Sequence, residues 1–343
     1  MPNFKPNAAQ HYDIYAIGNA LVDAEYEVSD AQLQAMAVEK RHMTLIDATR
    51  RADLLQALQG LHARRTGGGS AANTVVACAQ LGGSSFYSCR VADDGLGAFF
   101  TQDLADNGVD SNLSRTQPTA GQTGTCIVMV TPDTERSMST FLGATADLDH
   151  TALDEDSLRK AKVYYMEGYL AASPTGLDAA LQGKKIAKDA GVLLATTLSD
   201  MTMIQYCRAG LEAIIGDGLD YLFCNEEEAQ VWCGSTDLAA ICSQIRTLAK
   251  TVCLTRGSQG CIVLHGEEQT AVPAANVQAL DTNGAGDMFS GAFLYAVTHG
   301  HSVTQAAWLA NQAAGQVVSQ YGNRLSKETM GSIHTRFTQH IGG

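Results

Sequence analysis

The chain reads as an α/β protein: a three-layer α/β/α domain with a mostly parallel central sheet, accompanied by a small discontinuous second sheet. Three observations predict this. Short runs rich in β-branched and aromatic residues alternate with longer amphipathic ones, the pattern of a parallel sheet covered by helices on both faces. Two stretches break that alternation. The 343 residues, 45% hydrophobic and 17% charged, are enough for one large packed domain carrying an insert.

In order, strands are expected at residues 14–17, 85–89, 163–166, 192–196, 221–224 and 251–255. The apolar spacing between and beyond them predicts helices over 71–81, 96–107, 176–190, 238–250, 284–300 and 303–319. Residues 20–28 follow the first strand with no helix between, and residues 123–142 hold two strand-like runs around Thr131-Pro132-Asp133-Thr134-Glu135. Both read as hairpin material, so the small sheet is drawn from about 19–46 and 123–142 within a single domain over 1–343. Such a sheet has too little core to stand alone, which calls for support from the large domain or from a second copy in a homodimer. Glu25 and Glu27 read as its wet face, alternating with Tyr26 and Val28.

A net charge of -13 and a pI near 5.0 argue against nucleic-acid or anionic-membrane partners, because no basic stripe is present. Nine cysteines form no Cys-x-x-Cys pair, and Cys126, Cys224, Cys253 and Cys261 sit in strand-like runs as small buried apolar residues. A reducing compartment follows. Met1-Pro2-Asn3-Phe4-Lys5-Pro6 lacks the apolar core of a signal peptide, so a cytoplasmic protein is expected.

The most informative segment is Asp281-Thr282-Asn283-Gly284-Ala285-Gly286-Asp287, which runs directly into the apolar helix that begins Met288-Phe289. Small residues at a helix N-terminus leave backbone N–H groups open to an anion, and the helix dipole favours one there. Asp287 beside such a cradle repels anions, but it suits a site where a hydroxyl must be oriented and deprotonated for attack on phosphorus. The plainer alternative is local: Asp281 or Asn283 caps the helix and Asp287 complements its dipole. Upstream, Gly67-Gly68-Gly69-Ser70-Ala71-Ala72-Asn73 could be a flexible turn with Ser70 as N-cap. Likewise Asn225-Glu226-Glu227-Glu228 has the spacing of a capping box.

Taken together, the two glycine segments resemble the two signatures of the ribokinase-like carbohydrate and nucleoside kinases, the phosphofructokinase B family. Further matches fall in the same order at Gly18-Asn19 with Asp23, at Arg136, at Asn225 to Glu228 and at Thr255-Arg256-Gly257. The resemblance implies a ribokinase-like fold whose small sheet is a lid over the substrate. It also implies that Asp287 is the base, that Asn283, Gly284, Ala285 and Gly286 cradle the phosphoryl oxygens, and that Arg136 neutralises developing charge. Asn19, Asp23, Gly68, Gly69 and Asn73 would hold the hydroxylated ring, with the glycines letting backbone approach it. ATP would lie along Thr255, Gly257 and Gly260, with Asn225 and Glu228 positioning Mg2+ through water. The helix bearing Asn311, Ala314 and Gly315 would wall the adenine. A monovalent cation such as K+ could sit near Asp281.

For the substrate, Glu135-Arg136-Ser137-Met138 and Glu167-Gly168-Tyr169-Leu170 resemble the bacterial adenosine-kinase-like branch. Met138, Phe141, Tyr169 and Leu170 could then flank a base. Aromatic residues make up only 6% of the chain, which keeps a free sugar, as in fructokinase or ribokinase, as the alternative. A non-catalytic nucleotide-binding regulator on the same fold is a more distant one. A dinucleotide oxidoreductase is not supported, because Gly18-Asn19-Ala20 does not supply Gly-x-Gly-x-x-Gly after the first strand.

Overall fold

The computed structural model describes residues 11–116, 119–133 and 135–342; the expectations on Met1 to Pro6 and on Thr134 fall outside them. Strands follow in chain order as β1 (Tyr12–Ile17), β2 (Leu21–Glu27), β3 (Met43–Leu45), β4 (Arg64–Gly68), β5 (Ser85–Ser88), β6 (Val109–Ser111) and β7 (Gly124–Val130). After these come β8 (Arg136–Phe141), β9 (Ala161–Met166), β10 (Leu193–Thr197), β11 (Leu219–Asn225), β12 (Ala249–Thr255), β13 (Cys261–His265) and β14 (Glu268–Val272). The large sheet has the order β14-β13-β12-β11-β10-β9-β1-β5-β6, parallel from β12 to β6, with β13 and β14 added antiparallel at one edge.

Every residue of β1 is buried, as a strand covered on both faces requires. Its side chains alternate between two cores. Ile14 and Ala16 join the layer formed by helices Ser70–Gln80, Ala285–Thr298 and Val303–Val318, whereas Tyr15 and Ile17 join that of helices Pro174–Ala190, Arg208–Ile215 and Leu238–Ile245. The expected helix over 238–250 stops at Ile245, because Ala249 is already paired with Leu219 in the sheet. Cys126, Cys224, Cys253 and Cys261 are buried in strands, as free thiols. Among the described residues no helix is long and apolar enough to cross a membrane.

The chain leaves β1 toward β5 and β6 on one side and returns at β9 on the other. At such a switch point the strand ends diverge and leave a crevice. The second sheet, ordered β3-β8-β7-β2-β4, stands over it. It draws on more chain than expected, since β4 and helix Ala48–Ala57 belong to it as well. Its support is also of a different kind. Ala24, Tyr26, Ile127 and Met129 on the outer face pack against Leu33, Met36, Leu54 and Leu58 from helices Asp30–Ala35 and Ala48–Ala57. The lid thus carries a small core of its own.

Leu54 is buried in that core and away from the crevice. Leu54→Ala should cost about 2–5 kcal/mol locally, read as faster amide hydrogen exchange in β2 and β7 with little change in β1. Equal acceleration in all three strands would mean that the lid does not have a separate core.

Candidate active site

At the switch point Asn19, two residues after β1, and Glu167, the residue after β9, are bonded to each other. Glu167, 1% exposed, accepts from the backbone N–H of Asn19 (3.2 Å) and its Nδ2 (2.7 Å) through Oε1, and from the N–H of Ala71 (2.9 Å) through Oε2. Gly18 leaves the room for this carboxylate, since a Cβ there would overlap it. One buried anion therefore ties the end of β1 to the start of helix Ser70–Gln80.

Asp287 lies in the first turn of helix Ala285–Thr298, facing that same helix start. Its Oδ1 accepts from Ser70 Oγ at 2.6 Å and its Oδ2 from Asn73 Nδ2 at 3.0 Å. The cap of its helix is Gly284, at φ 76°, with no side chain capping; Asn323 stands 2.8 Å from where a Cβ would be, so the left-handed turn and the close approach both require glycine. Asp281 and Asn283 therefore do not cap this helix. Among the described residues no protein group accepts from the N–H of Gly286 or Asp287, and Gly286 opens to free space. The result is an exposed amide cradle beside a fixed carboxylate.

Across the crevice, Asp23 of β2 accepts from Asn323 Nδ2 at 2.8 Å. Arg136, first residue of β8, bonds Glu25 Oε2 at 2.7 Å and Asp281 Oδ2 at 3.2 Å, and lies over the Tyr321 ring. Glu25 is thus an ion-pair partner rather than a merely wet residue. The other contacts of Asp281 are the N–H groups of Asn283 and Gly322, each at 3.1 Å. With Arg136 already against it, this carboxylate is not free for a monovalent cation.

Several expected roles change on inspection of what each side chain touches. The glycine run makes room for the protein's own groups: a Cβ on Gly67 would overlap Asp103, on Gly68 the Asp23 carboxylate, and on Gly69 the Asn19 carbonyl. Gly69, at φ 98°, is the N-cap, which moves Ser70 into the helix and onto Asp287. Asn73 spends its amide on Asp287 and its carbonyl on Arg324 Nε at 2.9 Å, so both ends of this side chain are engaged within the protein. Met138 shares the inner face of β8 with Arg136, whereas Phe141, an odd number of residues away, points outward beneath Arg51 of the lid helix. Asn311 is buried, its Nδ2 donating to the carbonyls of Val272 (3.1 Å) and Pro273 (3.0 Å), and Gly315 packs on Ala275. That amide pins the chain after β14 and is not offered to a base.

Asn225 and Glu228 form a complete capping box at the end of β11. Thr255, at the end of β12, donates to the Cys224 carbonyl at 3.4 Å. Gly257 and Gly260 both take positive φ, and a Cβ on Gly260 would come 2.6 Å from Ala274 N. Tyr169 is half-buried beside Asp200. Ser70 and Glu167 lie inside segments that the sequence singles out, but without a role of their own there, and Asn323 and Arg324 lie in no motif at all.

Burial pushes the carboxyl groups of Asp23, Glu167 and Glu228 up to about 7 and that of Asp287 up to about 6. For Asp287 the hydrogen bonds from Ser70 and Asn73 and the charge of Arg324 oppose that rise. Among the described residues no three His, Cys, Asp or Glu groups converge as a metal site, so a divalent ion would come as the partner of a phosphate ligand rather than reside in a protein cage.

Residues 39–330 match the pfkB family of carbohydrate kinases. The chain belongs to this family. Its members are ATP-dependent kinases of hydroxyl groups, and the chain is accordingly an ATP-dependent small-molecule kinase that uses a divalent metal with its nucleotide. The fold is ribokinase-like. It is similar to a probable sugar kinase from Rhizobium etli CFN 42, with a TM-score of 0.87 and 34% identity over 96% of this chain and 99% of that one. The adenosine kinase from Sinorhizobium meliloti superposes with a TM-score of 0.85 at 35% identity, over 96% and 99% of the two chains. A fructokinase from Oryza sativa subsp. japonica is 29% identical over 69% of this chain and 76% of its own length.

The four raised carboxyl groups hold their protons more tightly when folded than when unfolded, where they titrate at about 4. Their stabilising effect is full below that unfolded value and is lost as pH rises through about 6 to 7. The ligand-free unfolding temperature should therefore fall between about pH 5 and pH 8. A midpoint that rises over this interval would contradict the burial of these groups.

Proposed function

We propose that the chain transfers the γ-phosphoryl group of MgATP to the primary hydroxyl of a ribose-containing substrate, an adenosine-like nucleoside. The observation that carries the reaction is the fixed Asp287 carboxylate beside open backbone N–H groups. Asp287 takes the hydroxyl proton as the oxygen attacks phosphorus, which requires its ionised form. The N–H groups of Gly286 and Asp287, with Asn283, Gly284 and Ala285 shaping the turn, meet charge on the transferring group. No covalent phospho-enzyme is needed.

A divalent ion bound with ATP would supply positive charge that offsets the charge of its phosphates. Glu228 fits an indirect role toward it: its oxygens already accept from Asn225, and its charge lies in the field of Asp200, Glu227 and Asp287, which a cation would relieve. Thr255, Gly257 and Gly260 border the same end of the sheet and suit the nucleotide. Any K+ site would have to use backbone carbonyls near Asp281 and Asn283. Arg136, parked on Asp281 at the entrance to the cradle, is within the site it would serve.

Asn19 and Asp23 face the crevice from the ends of β1 and the lid and suit ring hydroxyls. Met138, on the inner lid face, and Tyr169 offer the apolar surfaces for a base. The similarity to the adenosine kinase of Sinorhizobium meliloti over nearly the full chain supports the nucleoside reading, and that to plant fructokinases favours a free sugar. In favour of a lid dimer stand the exposed edge residues Met43 and Leu45.

Asp287→Asn should lower turnover by about a thousandfold or more while ATP affinity stays within about tenfold, in a coupled ADP-release assay. Wild-type kcat should fall as pH drops through about 6, where Asp287 takes up its proton; a flat acid limb would remove it as the base. Asp23→Ala should raise KM for the acceptor about tenfold with little change for ATP. Adenosine, inosine, ribose and fructose compared under saturating MgATP decide the substrate: a free sugar winning by about tenfold in kcat/KM overturns the nucleoside reading and leaves the kinase reaction intact.

A further inference from the structure

Arg324 belongs to neither signature, yet it reaches the base through one intermediary. It lies in the segment between helix Val303–Val318 and the C-terminal helix Lys327–Gly342, and its side chain is only 10% exposed. Nη1 bonds the carboxylate of Asp103, on helix Gly95–Asp106. Nε donates to Asn73 Oδ1 at 2.9 Å, and Asn73 Nδ2 donates in turn to Asp287 Oδ2 at 3.0 Å. A continuous chain of donors and acceptors thus runs from Asp103 through Arg324 and Asn73 to Asp287.

The middle link matters because an amide has a donor end and an acceptor end. If the Asn73 amide turned over, its carbonyl would face the Asp287 carboxylate, two acceptors in opposition. Arg324, which can only donate, prevents that turn by occupying the carbonyl. Its guanidinium also lies close enough to Asp23 and Asp287 to favour the ionised form of both. Nη2 is buried with no protein partner, so the side chain is not placed to satisfy its own donors. The glycine at position 67 fits the same arrangement, since a Cβ there would overlap the Asp103 end and stand 3.0 Å from Nη1.

We infer that Arg324 is a positioning residue for phosphoryl transfer: through the Asn73 amide it fixes the orientation of the Asp287 carboxylate. The inference rests on Asp287 being the base. Other groups face Asp287 and load it with negative charge or remain neutral: Asp23 on the lid, Glu167 after β9, Glu228 beyond β11, and Tyr87, Tyr165 and Tyr169. The charge of Arg324 opposes the rise that burial imposes on Asp287, so removing it should raise the pH at which the base becomes active.

The test is a pH profile of kcat for Arg324→Gln, Arg324→Lys and Asp287→Asn in the full-length enzyme, with thermal melts alongside. Arg324→Gln should lower kcat by about ten- to a hundredfold and move the acid limb upward by about one pH unit. The deficit is then greater at pH 6 than at pH 9, with KM for ATP within about twofold. Arg324→Lys keeps the charge but not the planar fork, so it should return the limb toward its wild-type position while leaving the plateau kcat reduced. A folded Arg324→Gln enzyme with an unmoved limb and kcat within about twofold of wild type overturns the inference. If that variant does not fold, Arg324→Lys decides, and a wild-type plateau overturns it equally. An Asp287→Asn enzyme that still turns over would instead remove the base, whereas an inactive one beside an unaffected Arg324→Gln removes only the role given to Arg324.

Discussion

Four carboxylates withdrawn from water into one crevice are the constraint around which the rest of the site is arranged. Asp23, Glu167, Glu228 and Asp287 would repel one another and resist ionisation if nothing received their charge. Each is met instead by donors that the backbone or a short polar side chain places there. Glu167 has three N–H groups and Glu228 its capping box, while Asp287 has Ser70 and Asn73, and Asp23 has Asn323. The concentration of negative charge also gives a metal-bearing nucleotide a reason to bind where the bare nucleotide would be repelled.

Helix starts do most of this placing. Helix Ser70–Gln80 begins where Glu167 holds Ala71, and it brings Ser70 and Asn73 to the start of helix Ala285–Thr298. The two helices pack through small residues, with Gly291 against the Thr74 carbonyl and Ala77. Such close approach, with the tightness of a packed interior, leaves Asp287 little freedom to swing away from the cradle.

The strands of the large sheet and the helices that cover it were legible in the sequence because burial on both faces writes long apolar runs, as in β1. Asp287 and the glycine turn before it were legible for a similar reason, since a cradle is made of consecutive residues. What could not be read was partnership across the chain. Nothing local tells that Gly68 makes room for Asp23, that Asn73 faces Asp287, or that Asn323 and Arg324 complete the crevice from more than 200 positions away. Phe141 shows a different limit: it lies three residues from Met138 on one strand, and an odd separation sends the two side chains to opposite faces. Nor does the sequence tell that the Nδ2 of Asn311 serves the carbonyls of Val272 and Pro273, since a buried amide can meet a neighbouring carbonyl as readily as a ligand.

The lid meets the segment before the cradle and the C-terminal segment through Arg136 with Asp281 and Asp23 with Asn323. Both contacts are polar, although Arg136 also lies over the Tyr321 ring, and one is an ion pair whose partners regain water when they separate. Dissolved ions weaken such an attraction wherever water reaches it, whereas Val22 of β2, packed in the core of the large domain, is indifferent to them. The two sheets are thus joined by one kind of contact that salt loosens and one that it does not.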